Sequence, residues 1–405
     1  MYTGEPAKAL WISTAAFTVC FAVWTIFAII GVRIKQDLGL SEAQFGLLVG
    51  TPILTGSVVR LVLGIWTGRY GGRLVYTLTM LASALATFLL SYATTYTEML
   101  IAGLGVGLAG GSFAVGVAYV SPFFPPERQG TALGIFGAGN VGAAVTKFAA
   151  PFVLIAWGWQ SVAEIWALVL AATAIIFWFS TTDDPAFRES RKRGGASKSL
   201  LQEFAPLKNV QVWRFSLYYA FAFGGFVALS LWLPRYLVGV YGFNLEVAGM
   251  IAAAYSIPGS IFRAFGGFLS DKKGARSVMY AMLLVCGAAT LVLSLPAESL
   301  TPFLFIVVIF VLGFFMSLGK AAVFKHIPAY YPNSVGAVGG IVGMMGGLGG
   351  FLLPIAFGLL KDITGLWSSC FLLLFAIVAI SLVWMHVSVM RMQRQAHSAT
   401  DTVTA

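Results

Sequence analysis

Gly56-Ser57-Val58-Val59-Arg60 places a guanidinium inside an apolar run from about Gln44 to Trp66. The pattern returns 203 residues later as Gly259-Ser260-Ile261-Phe262-Arg263, inside a second apolar run from about Val247 to Leu269. A glycine-rich basic turn follows each copy. It reads Gly64-Ile65-Trp66-Thr67-Gly68-Arg69-Tyr70-Gly71-Gly72-Arg73 in the first and Gly267-Phe268-Leu269-Ser270-Asp271-Lys272-Lys273-Gly274-Ala275-Arg276 in the second. Further on the offset becomes 206, where Pro126, Gly130, Gly134, Ile135 and Gly137 answer to Pro332, Gly336, Gly340, Ile341 and Gly343. Arg60 and Arg263 are therefore counterparts in two halves of one chain.

The chain is 59% hydrophobic and only 10% charged, a balance that excludes both a soluble globular domain and a disordered chain. A helix crossing ~30 Å of hydrocarbon takes ~20 apolar residues. Windows of that size predict spans near 9–31, 44–67, 74–94, 98–121, 130–155 and 160–181, then 213–238, 245–270, 276–295, 301–324, 335–359 and 366–389. The first run, from Leu10 to Ile30, is long enough for a retained helix and has no small-residue cleavage site after it. The connector 182–212 carries Arg188-Glu189-Ser190-Arg191-Lys192-Arg193-Gly194-Gly195, a run that lipid cannot bury. The expected fold is thus an all-α polytopic membrane protein of twelve transmembrane helices. They form two pseudo-symmetric six-helix bundles, 1–181 and 213–390, with a tail at 391–405.

A net charge of +10 suits nucleic acid only when it lies on a solvated, aromatic-laced face. Here the basic residues fall in short loops. Arg33, Lys35, Arg235 and Lys361 lie on one face, five more (Arg60, Lys147, Arg263, Lys320, Lys325) lie within spans, and the rest lie with the termini and the connector. That excess predicts cytoplasmic termini. Cys20, Cys286 and Cys370 all sit in apolar runs, so neither a disulfide framework nor a metal site is expected. No nucleophile, base and orienting group can be assembled from three histidines and peripheral acids, which argues against an enzyme.

An arginine near mid-membrane costs ~2.5–3.5 kcal/mol on insertion scales and must face a protein interior or a water-filled path. No Asp or Glu lies deep in any span to pair with Arg60 or Arg263. Two unpaired guanidinium forks call for a small oxyanion. Lys147 and Lys320 are the buried candidates for carrying a proton, with added positive potential as the alternative; Lys325 and His326 lie near a span end and reach toward the face. Gly105 to Gly110 and Gly137 to Gly142 both fit GxGxxG but lack the strand and polar turn of a dinucleotide site. Like the seven glycines among residues 339–350, they predict close helix packing.

The basic turn resembles the signature loop of the major facilitator superfamily. Within it, the chain resembles the nitrate/nitrite porter family over nearly its whole length, through an intramembrane arginine in each half and Gly134-Ile135-Phe136-Gly137-Ala138-Gly139-Asn140-Val141-Gly142. The resemblance is to the shorter members of nitrate/proton symporter type. It implies a monomeric alternating-access transporter of nitrate and nitrite in a bacterial inner membrane, needing no cofactor. Arg60 and Arg263 would bind the anion, Asn140 would donate an amide hydrogen bond, and Phe113, Tyr219 and Phe223 would flank the anion. Gly137, Gly139, Gly142, Gly343, Gly346 and Gly347 would be the signature glycines, and Arg69, Arg73, Asp271 and Arg276 the conformational loop. Gly68 departs from that loop pattern, which expects the acid kept at Asp271. Uptake against an inside-negative potential costs ~2.3 kcal/mol per charge per 100 mV. It therefore requires coupling: proton symport, with nitrite exchange as the alternative and another small anion as the more distant reading.

Overall fold

The computed structural model describes residues 4–192, 208–296, 299–331 and 335–403. The middle of the connector and the last two residues of the tail lie outside them. Among the described residues, eleven helical runs are long and apolar enough to cross a membrane. One of them, Gly130–Ser180, holds 51 residues and turns back at Gly158, whose φ of 87° no L side chain adopts cheaply. It therefore supplies two crossings, and the twelve expected spans are present.

We label them α1 (Glu5–Leu38), α2 (Glu42–Tyr70), α3 (Gly72–Leu90), α4 (Tyr96–Phe123), α5 (130–157) and α6 (159–180). The second six are α7 (Val210–Tyr241), α8 (Leu245–Lys273), α9 (Ala275–Leu293), α10 (Pro302–Ile327), α11 (Val338–Thr364) and α12 (Ser369–Arg394). An even number of crossings puts both chain ends on one face, here called the terminal face; the opposite one is the distal face. Helices α2, α4, α8 and α10 start at the distal face on Ser41, Thr95, Asn244 and Thr301. Each side chain accepts from a backbone N–H of the first turn, satisfying an otherwise orphaned donor.

The repeat is written in the backbone as well as the sequence. Among the described residues every positive-φ residue is a glycine, and apart from Gly4 near the start they fall into three pairs: Gly39 with Gly242, Gly71 with Gly274, and Gly158 with Gly365. The first two pairs are 203 residues apart and the third 207. Only glycine takes these left-handed turns without strain, so each half turns its helices at the same places.

Several helices lose regular pairing near mid-depth. α1 breaks at Thr25–Ile26, α4 at Gly107 and α8 at Ile257, while α5 tightens to a 3₁₀ turn over Ala138–Val141 and α7 widens to a π turn over Ala220–Gly225. In lipid such backbone is tolerated only where protein or a water-filled cavity surrounds it. These irregular turns surround the two arginines.

Candidate functional site

Arg60 and Arg263 are both buried, at 2% and 3% exposure. Among the described residues neither forms an ion pair. Each leans on the glycine helix of the other half. Arg60 on α2 donates from Nη1 to the carbonyl of Gly343 on α11 at 2.8 Å, and from Nε to the carbonyl of Gly110 on α4 at 3.2 Å. Arg263 on α8 lies against Gly137 on α5, where an added Cβ would meet Nε at 2.7 Å and Cζ at 2.9 Å. Its Nη2 donates to the Tyr219 hydroxyl at 3.4 Å, and its Nη1 is buried with no partner.

Aromatic rings supply the faces a carboxylate would otherwise occupy. The Arg60 guanidinium lies 5.3 Å from the Trp24 ring, 5.1 Å from Phe223 and 5.5 Å from Phe113. The Arg263 guanidinium lies 5.0 Å from that same Phe113 ring and 5.9 Å from Phe324. Tyr219 stacks on Phe223 with centroids 5.2 Å apart, and Phe324 meets Tyr219 edge-on at 4.9 Å. Cation–π contacts of this kind contribute roughly 0.5–2 kcal/mol each, most where water is excluded.

Asn140 is fully buried, and neither Oδ1 nor Nδ2 has a partner. It sits in the 3₁₀ turn of α5, three residues after Gly137, and that turn packs against α8. Residues i and i+3 eclipse in a 3₁₀ helix, so Asn140 and Gly137 share the face that Arg263 contacts. Three polar atoms, Arg263 Nη1 and both amide atoms of Asn140, are thus unmet among the described residues, on two elements packed against each other. Buried polar groups are nearly always paired, and leaving one bare costs ~1–3 kcal/mol. An oxyanion accepting from Nη1 and Nδ2 would meet two of the three.

The six signature glycines do different jobs. Gly137 leaves room for Arg263, Gly346 for the Tyr219 ring (a Cβ would sit 2.3 Å from it) and Gly347 for Ser57 across the halves. Gly139 and Gly142 admit α1, whose Thr18 carbonyl would lie 1.9 Å from a Cβ on Gly142. Gly343 has only Phe324 nearby, at 4.0 Å, and serves through its carbonyl.

The two buried lysines are held differently. Lys147 on α5 donates to the carbonyl of Ala143, to Ser256 Oγ on α8 at 3.1 Å and to Ser230 Oγ on α7, spanning the two halves. Lys320 on α10 donates to the carbonyl of Gly259 and lies 3.5 Å from the Phe226 ring centroid. Both are fully buried. In the loop motif, Asp271 pairs with Lys325 and lies against Gly130 of the other half, while its counterpart position Gly68 has open space around it. Arg73 caps the end of α6 by donating to the Trp178 carbonyl at 2.6 and 3.0 Å; Arg276 reaches Tyr330 Oη at 3.5 Å. Arg69 lies in the last turn of α2.

At the distal face the halves are joined. Arg235 of α7 forms an ion pair with Glu42 of α2, and Asp362 of α11 accepts from the backbone N–H of Ala43 at 3.2 Å. Beneath them a Cβ on Gly46 would meet the Pro354 carbonyl at 2.6 Å.

Two side chains at the centre escaped the sequence reading. Trp24 sits in a slot between Gly56 and Gly110, where added Cβ atoms would lie 2.5 and 2.3 Å from its ring, and its indole N–H donates to the Pro52 carbonyl at 2.8 Å. Phe324 is one ring among 33 phenylalanines. The matched glycines on α2 and α4 were the available signal for a large ring between them.

The sequence model of the Major Facilitator Superfamily matches residues 12–297 and 243–402. The chain belongs to the Major Facilitator Superfamily. A Thermus thermophilus protein named a nitrate/nitrite antiporter is 43% identical over 96% of this chain and 93% of its own length. A Mycobacterium tuberculosis protein named a nitrate/nitrite transporter is 34% identical, covering 87% of this chain and 88% of that one. A Bacillus subtilis nitrite extrusion protein is 30% identical over 90% and 91%. The branch the sequence resembled, the nitrate/nitrite porter family, is therefore the chain's own, and the molecule is a multi-pass membrane transporter rather than an enzyme. Crystal structures of a bacterial homologue of the human lysosomal transporter Spinster share the fold. One of them, inward-facing and occupied, has a TM-score of 0.70 at 19% identity, covering 96% of this chain and 98% of that one.

Proposed function

We propose that this superfamily member carries nitrate and nitrite across a bacterial inner membrane by alternating access, as a monomer with both termini cytoplasmic. The observation that carries the reading is the pair of buried guanidinium groups without a carboxylate, beside the unmet Arg263 Nη1 and Asn140 amide. A small planar oxyanion satisfies donors that converge from both halves and offsets their mutual repulsion. The cross-half reach of each arginine ties occupancy to closure: the anion is held by donors of both halves only while they are together. The names of the relatives support nitrate and nitrite over other small anions.

For coupling, the reading is proton symport through a buried lysine. Lys320 is the stronger candidate, because it sits in the half of Arg263 with one carbonyl and one ring for company. All three ammonium donors of Lys147 are taken. The second reading, exchange of nitrate for nitrite, is favoured by the name of the Thermus relative. Proteoliposomes separate the two. Nitrate uptake driven by an imposed pH gradient with no internal anion supports symport, and its loss in Lys320→Ala assigns the carrier. Uptake only after preloading with nitrite overturns symport, and indifference to both nitrate and nitrite overturns the substrate.

A further inference from the structure

Away from the central site, four helix ends converge at the terminal face of the second half: the starts of α7 and α9 and the ends of α10 and α12. They enclose a pit lined by Arg214, Tyr218, Arg276, His326, Tyr330 and Ser388, among others. It gives the centres of water-sized molecules about 40 Å³ of room, several times the ~10–15 Å³ that one water needs. Among the described residues no carboxylate lines it. Tyr218 is 4% exposed, yet among the described residues its hydroxyl has no partner, and neither has the buried Nε of Arg214. Arg276 reaches Tyr330 Oη only at 3.5 Å.

The first half shows what a filled version of this corner looks like. Arg73, the counterpart of Arg276, lies 4.1 Å from the Trp178 ring centroid, and the end of α6 caps it through the Trp178 carbonyl. In the second half α12 continues to Arg394 instead of stopping there, and the equivalent cap is missing from Arg276's bonds. The starts of α7 and α9 add the positive end of two helix dipoles to the same corner.

From these observations we infer that the pit is an anion site distinct from the transport site, taking a phosphate-type oxyanion. Arg214 and Arg276 supply charge and the Tyr218 hydroxyl donates a hydrogen bond. The oxyanion has two sources: the headgroup of an anionic phospholipid of the terminal-face leaflet, or free phosphate. Basic pockets between transmembrane helices at this depth suit lipid headgroups.

The test follows the thermal midpoint of the purified full chain in a neutral detergent while phosphatidylglycerol, phosphatidylcholine or inorganic phosphate is titrated at fixed ionic strength. A ligand that binds only the folded state raises the midpoint. Phosphatidylglycerol is expected to raise it and phosphatidylcholine not. Tyr218→Phe and Arg214→Gln should each shift the midpoint of that titration to roughly tenfold higher lipid, the order of effect of losing one charge-assisted hydrogen bond. If inorganic phosphate gives the same variant-sensitive response, the site stands and its source is the free ion. No stabilisation by either anion overturns the proposal, as does stabilisation that both variants keep in full. Tyr218→Phe retains the packing, so it decides alone should Arg214→Gln fail to fold. The response to nitrate, unchanged in Tyr218→Phe, serves as the control for the central site.

Discussion

Arg60 and Arg263 occupy equivalent positions and are held very differently. Arg60 is anchored: two carbonyls, Gly110 and Gly343, take two of its N–H groups, and three rings surround it. Arg263 is poised: one long bond to Tyr219, a bare Nη1 and two rings. The asymmetry continues one layer out. Asn140 in the first signature helix corresponds to Gly346 in the second, and that glycine is the space into which Tyr219 packs. The repeat places two cations at matching positions, one with its donors taken by carbonyls and the other with an N–H left open among the described residues.

The largest expected effect tests this division directly. Arg263→Lys should weaken nitrate binding ~10–100-fold, the range for losing a charge-assisted hydrogen bond at a buried site, and leave the unfolding temperature nearly unchanged. Arg60→Lys should lose binding to a similar extent and also lower the unfolding temperature, since two carbonyls lose their donors. A thermally silent Arg60→Lys breaks the comparison.

Next come the two glycines on which the arginines lean. Gly137→Ala drives a methyl into the Arg263 guanidinium, and overpacking of this kind costs ~1–3 kcal/mol; transport in vesicles should fall about tenfold. Gly343→Ala meets only Phe324, at 4.0 Å, and should transport nearly as the parent does. Equal damage from both substitutions would contradict the geometry.

Asn140→Leu sharpens the picture from the other side. It removes two unpaired buried polar atoms, so thermal stability should hold or rise while nitrate affinity, measured by ligand-induced thermal shift, drops several-fold. A loss of stability would mean that the amide has a structural partner. The smallest effect is expected at the distal face. Glu42→Gln takes the charge out of a bidentate pair with Arg235 whose side chains are 14% and 20% exposed, while the amide oxygen can still accept from one guanidinium N–H. It should raise labelling of a reporter cysteine placed on the distal end of α2 or α11, where the halves meet, by no more than a few-fold.

Much of this was legible in the sequence because its logic is local. Apolar run lengths gave the spans, and the repeated Arg60 and Arg263 motifs gave the halves. The turning glycines were less visible: Gly39 and Gly242 look like any loop glycines until their shared left-handed φ is seen. The centre was read in part. Arginines and Asn140 stand out against hydrocarbon by their desolvation cost, whereas Trp24 and Phe324 are apolar side chains in apolar helices, with nothing in their local context to separate a ring over a cation from a ring against lipid. That Lys147 has all three of its protons taken, by Ala143, Ser230 and Ser256, depends on α7 and α8 arriving beside α5, a long-range fact no window of sequence contains.

The missing acid at Gly68 has a mechanical meaning. Asp271 rests against Gly130 in the first turn of α5 and holds Lys325, while Gly68 has no side chain with which to make the matching carboxylate contact. At the terminal face Asp271 therefore ties the α5–α8 edge electrostatically, whereas the α2–α11 edge relies on helix packing and on Arg60 reaching Gly343.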